Sequence, residues 1–172
     1  MYFYVDSKTG PDLWVLPLDD NGKKAGEPRA FVNSIADERM SKFSPDGRWV
    51  AYQSNESNRF EIFVRPFPQG SQQWQVSSSG GSQVRWSRDG KELYYIAPDG
   101  KMMAVRFFAN GSKFDARAPA PLFQTRVWGG GANTSNRQQY DVDKDGRFLI
   151  DVTTEDTAAS PITILLNWNS PK

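Results

Sequence analysis

Four groups of residues in this 172-residue chain have types and spacings that could do chemistry. Asp141-Val142-Asp143-Lys144-Asp145-Gly146 sets three carboxylates at alternate positions, as at the start of a calcium-binding loop. Such a loop needs a glutamate at its twelfth position, and this chain has Val152 there. Asp151, Glu155 and Asp156 are near enough in sequence to serve as the paired acids of glycoside hydrolysis. They lie, however, in a polar segment, 151–160, with the composition of a solvated hairpin loop. Gly129-Gly130-Gly131 invites comparison with a phosphate cradle, but no G-K-[ST] follows, and the triplet reads as a flexible loop. Around it stand Arg126, Trp128, Asn136 and Arg137, an aromatic ring among guanidinium and amide groups, which is the usual make-up of a partner or ligand anchor. These four are the candidate contacts. No catalytic residue, metal ligand or cofactor is assigned.

Composition removes whole classes of mechanism. Histidine and cysteine are both absent, which excludes Ser-His-Asp triads, H-E-x-x-H zinc sites, thiol nucleophiles and disulfides. Twenty-one basic residues balance twenty acidic ones and are interspersed with them, so no strong field draws nucleic acid or an anionic membrane. No run approaches the roughly 20 apolar residues that span a bilayer, and membrane insertion by this segment is not expected. Met1 to Asp6 lacks the basic start and apolar run of a signal peptide and has the pattern of a strand. Six Trp, six Tyr and eleven Phe, punctuated by fourteen Gly and eleven Pro, predict an all-β chain.

The elements that must carry these side chains follow from an internal repeat. Phe43-Ser44-Pro45-Asp46-Gly47-Arg48, Trp86-Ser87-Arg88-Asp89-Gly90-Lys91 and Val142-Asp143-Lys144-Asp145-Gly146-Arg147 share one pattern, each followed by an apolar strand. Asp46 and Gly47, Asp89 and Gly90, and Asp145 and Gly146 are turn residues: the acid hydrogen-bonds neighbouring backbone, and the glycine supplies a positive φ. A second matched element comes after each hairpin: Asp12-Leu13-Trp14-Val15 corresponds to Glu61-Ile62-Phe63-Val64, with Lys101 to Arg106 and Ile162 to Trp168 in later copies. Weaker closing strands are predicted at 29–32, 74–77 and 122–125.

From Asp46 to Asp89 is 43 residues, within the roughly 40–45 of a four-stranded propeller blade. The step to Asp145 is 56, which places about a dozen extra residues between Phe107 and Tyr140. The expected fold is therefore a single all-β propeller arc over 1–172, of about four four-stranded blades at 1–34, 38–78, 81–126 and 137–172. Strand aromatics such as Trp14, Phe63, Trp86, Tyr95 and Phe148 are expected to pack between blades. Counting strands, the first unit lacks its opening strand and the last its closing one. The expectation is a partial or open propeller, completed by upstream blades or by self-association.

Phe43-Ser44-Pro45-Asp46-Gly47-Arg48-Trp49-Val50-Ala51-Tyr52, followed by Glu61-Ile62-Phe63-Val64-Arg65-Pro66-Phe67-Pro68, resembles the WD-type repeat of TolB-like propellers. Arg147-Phe148-Leu149-Ile150 with Pro161 to Trp168 is similar to the C-terminus of propeller regions attached to bacterial serine/threonine protein kinases. The resemblance implies a non-catalytic sensor or scaffold domain, extracytoplasmic in those kinases, that binds a protein or small ligand. No kinase motif is present in the chain, so no kinase activity carries over. A second implication is the gating propeller of a prolyl-oligopeptidase-like peptidase whose hydrolase domain is not in this sequence. An enzyme working in the propeller's own channel, as in lactonases, is disfavoured by the missing histidines.

Overall fold

The computed structural model describes residues 2–6, 10–68, 70, 72–110, 113–129, 131 and 137–152. Among them are fourteen strands and no α-helix. β1 (Tyr2–Asp6), β2 (Gly10–Val15) and β3 (Arg29–Val32) form one antiparallel sheet in chain order. β4 (Glu38–Phe43), β5 (Trp49–Ser54), β6 (Glu61–Pro66) and β7 (Trp74–Gln75) form the next. The third comprises β8 (Ser82–Trp86), β9 (Glu92–Ile96), β10 (Lys101–Asn110), β11 (Lys113–Ala116) and β12 (Ala120–Gln124). β13 (Tyr140–Val142) and β14 (Phe148–Ile150) make a final hairpin.

The way these sheets stack defines the architecture. Successive side chains of a strand point to opposite faces, yet all six residues of β5 are buried. Val50 and Tyr52 pack with Leu13, Val32 and Phe63, against the first sheet. Trp49 and Ala51 pack with Val84, Trp86, Leu93, Tyr95 and Val105, against the third. Tyr94, Ile96 and Met102 of the third sheet meet Tyr140 in the same manner. A meander with both faces covered by its sequence neighbours is a propeller blade, and the chain is part of a β-propeller. Phe63, Trp86 and Tyr95 are buried in these seams, and Phe148 meets Tyr94 edge to face.

The leading strands β4 and β8 lie together: Trp86 Nε1 donates to the Lys42 carbonyl at 3.0 Å. Each is interrupted by a bulge, where Met40 (φ 56°) and Gln83 (φ 60°) adopt left-handed backbone. The two bulges are one repeat apart, so the deformation belongs to the repeat.

Among the described residues the second sheet shows the four-strand pattern, the first has three strands and the fourth two; Ile162 to Trp168 lies outside the described residues. In the third sheet the extra residues fall within the expected span between Phe107 and Tyr140. They lengthen β10 and fold back as β11, while β12 pairs with the other half of β10. This arm reaches the second sheet, where Phe114 stacks on Trp74 (4.9 Å) and tilts against Trp49 (5.5 Å).

Candidate functional site

At one end of the blades lie the three Asp-Gly hairpins. In the first, Asp46 Oδ1 accepts from the Ser44 hydroxyl (2.6 Å) and the Arg48 amide (3.1 Å), and Arg48 Nε reaches Oδ2 at 2.7 Å. In the second, Asp89 takes the equivalent bonds from Ser87 (2.8 Å) and Lys91 (3.1 Å). The third is rebuilt. Asp143 replaces the serine and accepts the Asp145 and Arg147 amides at 2.8 and 2.9 Å, with Arg147 Nε at 2.7 Å. Gly47, Gly90 and Gly146 take φ of 70°, 70° and 76° at the corner where a side chain would be strained.

Between the turns lies an open cleft of about 890 Å³. Trp49, Tyr94 and Phe107 supply its apolar lining; Arg48, Arg88, Lys91, Arg106 and Lys144 stand with Asp46, Asp89, Glu92 and Asp143 among its charged groups. Most of these charges answer one another: Arg48 with Asp46, Lys91 with Asp89, Arg106 with Glu92. Desolvation pushes Asp46 upward, but hydrogen bonds from Ser44 and Arg48 outweigh it and hold its carboxyl below the usual range. The Ser87 hydroxyl does the same for Asp89, and the Arg147 amide for Asp143. A general acid at neutral pH needs the opposite perturbation.

The opposite end carries the residues that the sequence singles out as contacts. Val127 is buried with Tyr94, Ile96 and Met102, and pins a segment whose flanking Arg126 and Trp128 stay exposed, Trp128 at 66%. Arg137 is engaged with Asp151 at 3.2 Å. Asn136, like Glu155 and Asp156, lies outside the described residues. Gly131 is not a free loop residue: a Cβ there would collide with the Ala97 carbonyl, and its own carbonyl accepts from Ser82 Oγ at 3.2 Å. The glycine is required by close packing against the third sheet. The three acids of the 141–145 run face basic side chains: Asp141 meets Arg85, and Asp143 and Asp145 share Arg147.

Sequence reasoning passed over two features at this end. One is a buried amide chain through three sheets. Gln83 N–H donates to Gln53 Oε1 (3.2 Å), Gln83 Nε2 to Gln139 Oε1 (2.9 Å), and the Gln139 amide returns a bond to Gln83 Oε1 (2.7 Å). The other is a set of buried acids at strand starts: Asp12, Glu38 and Glu61. Glu61 is satisfied by Arg59, Ser77 and the Gly80 amide. Glu38 receives the Ser34 hydroxyl on Oε1 at 2.7 Å, but its Oε2 has no partner. Burial raises the Glu38 carboxyl to about 7, with Asp12 and Glu56 adding to the rise and the Ser34 bond opposing it. Its pKa would suit a proton donor, yet it is 0% exposed and out of a substrate's reach. The signal for these acids was the pairing of Asp12 with Glu61 in the strand alignment.

Fold and site together define a propeller segment with a mixed-charge cleft at its hairpin end. Among solved structures it is similar to TolB from Acinetobacter baumannii, at 15% identity and a TM-score of 0.46, over 83% of this chain and 43% of that one. It is also similar to a putative 6-phosphogluconolactonase from Bacteroides uniformis, at 14% identity and a TM-score of 0.48, over 85% of this chain and 42% of that one. The chain spans less than half the length of either structure. No protein-family model matches the sequence, and no curated protein matches it. The kinase-linked part of the resemblance finds no counterpart in these comparisons.

Proposed function

We propose that this chain is a non-catalytic binding module that holds an acidic, aromatic-bearing peptide segment of a partner protein in the cleft at its hairpin end. The observation that carries the reading is the composition of that cleft. Turns from three consecutive repeats line it beside the exposed ring of Phe108, and two of its cations, Arg88 and Lys144, have no ion pair among the described residues. Rigid sheets presenting variable turns are the usual way such folds build recognition surfaces. Asp46, Asp89 and Asp143 in the cleft are tied to their own cations and held below the usual carboxylate range, which makes them poor proton shuttles. A sensor or scaffold role beside a kinase is the narrower form of this reading, and it rests on the sequence resemblance alone.

Selection of random peptides on the immobilised chain tests it. The wild type should enrich sequences combining Asp or Glu with Phe, Tyr or Trp, and an R88E/K144E variant with unchanged circular dichroism should lose them. No enrichment, or peptides that bind both proteins equally, would overturn the proposal.

A further inference from the structure

Counting back four residues from the turn aspartate in each repeat gives Lys42, Arg85 and Asp141. The structure brings these three equivalent positions of β4, β8 and β13 together where the leading strands converge. Trp86 Nε1 ties β8 to the Lys42 carbonyl at 3.0 Å, and Arg85 Nε lies 3.2 Å from Asp141 Oδ1. That carboxylate sits off the N–H direction, so the buried Arg85 Nε–H has no hydrogen-bond acceptor. Asp141 is also partly spent, since its Oδ1 takes the Val142 amide at 3.0 Å. Lys42 is half-buried and makes no side-chain hydrogen bond or ion pair with a described residue. Two cations therefore share one exposed carboxylate. Burial and the neighbouring Arg85 depress the Lys42 ammonium, with Asp141 acting in the other direction.

An arrangement with surplus positive charge and an unsatisfied buried donor calls for an acceptor. We propose that Lys42 and Arg85 bind the oxyanion of a small molecule, a carboxylate or phosphate group, and that Asp141 accepts a hydrogen bond from a hydroxyl on the same molecule. A guanidinium offers a planar fork suited to either anion, and the ammonium adds a compact point charge. The site is separate from the hairpin cleft, which none of the three residues lines.

Titration of the full chain with inorganic phosphate, malonate and hydroxymalonate, followed by NMR at Lys42 Cε and Arg85 Nε, tests this directly. Saturable shifts at both side chains are expected. Phosphate against malonate separates the two oxyanion classes, and hydroxymalonate should bind more tightly than malonate. K42M and R85K should each weaken binding by about ten- to a hundredfold, the worth of a charge-assisted hydrogen bond. D141A, which removes both the charge and the acceptor, should tighten malonate binding while erasing the preference for the hydroxyl. Shifts that do not saturate with any of the three anions would overturn the proposal, as would wild-type affinity in K42M and R85K. If a variant fails to fold, the wild-type titration still decides the matter.

Discussion

Glu38 should make this protein lose stability as the solution turns from mildly acidic to neutral. The side chain is 0% exposed, Oε2 has no partner, and its carboxyl is raised from 4.5 to about 7, chiefly by burial. Below pH 4.5 the folded and unfolded chains both hold the proton, and the full stability is present. Between 4.5 and about 7 the unfolded chain releases it while the folded one retains it, so stability falls. Above that window both states are ionised and the loss is constant. At about 1.4 kcal/mol per pH unit, the interval amounts to about 3 kcal/mol. An amide has the same shape, keeps an oxygen for the Ser34 hydroxyl and carries no charge. Glu38→Gln should therefore equal the wild type near pH 4 and exceed it by about 3 kcal/mol at pH 8. Urea unfolding of both proteins at four pH values, followed by tryptophan fluorescence, gives the comparison. The turn acids Asp46, Asp89 and Asp143 are held low, so their contributions fade only at more acidic pH and leave this window clean. Parallel stability curves for the two proteins from pH 5 to 8 would refute the reasoning.

Gly47→Ala should cost about 1–2 kcal/mol in urea unfolding from its left-handed backbone alone, since no atom lies near its Cβ direction, and Gly47→Asn should recover most of that loss. Gln83→Ala should lower the unfolding free energy by about 1–3 kcal/mol for each group of Gln139 left unpaired; an unchanged free energy would show that water replaces the amide chain. Phe114→Ala should destabilise by about 2–4 kcal/mol by emptying the stack on Trp49 and Trp74, whereas Phe108→Ala, at 53% exposure, should be near neutral by calorimetry.

The repeat was legible because its turns obey local chemistry. Ser-Pro-Asp-Gly fixes a hairpin without help from the rest of the fold, and β5, β9 and β14 sit where those turns place them. The same chemistry in Pro98-Asp99-Gly100-Lys101 escaped notice because it falls out of phase, between β9 and β10; there Lys101 bonds Asp99 through both its amide and its ammonium. What depends on distant pairing was not legible. The extra residues of the third repeat have weak strand character of their own, and they form β11 because β10 offers an edge and Trp74 a surface for Phe114. For the candidate contacts, sequence located an exposed segment at 126–128 but not the Val127 anchor beneath it. The amide chain of Gln53, Gln83 and Gln139 joins residues dozens of positions apart, and no window of sequence brings them together.

β10 is ten residues long, and a strand of that length at the margin of a sheet is a template on which another chain can grow. Here two short strands share its outer side, β11 along 107–110 and β12 along 101–104, with a shift of register in the second. β12 is exposed throughout and carries Pro121, which cannot donate to a further strand. The margin that faces solvent is thus broken, short and proline-bearing. The added residues of the third repeat thereby act as a guard against edge-to-edge polymerisation, a role set by the length of β10 and independent of any ligand.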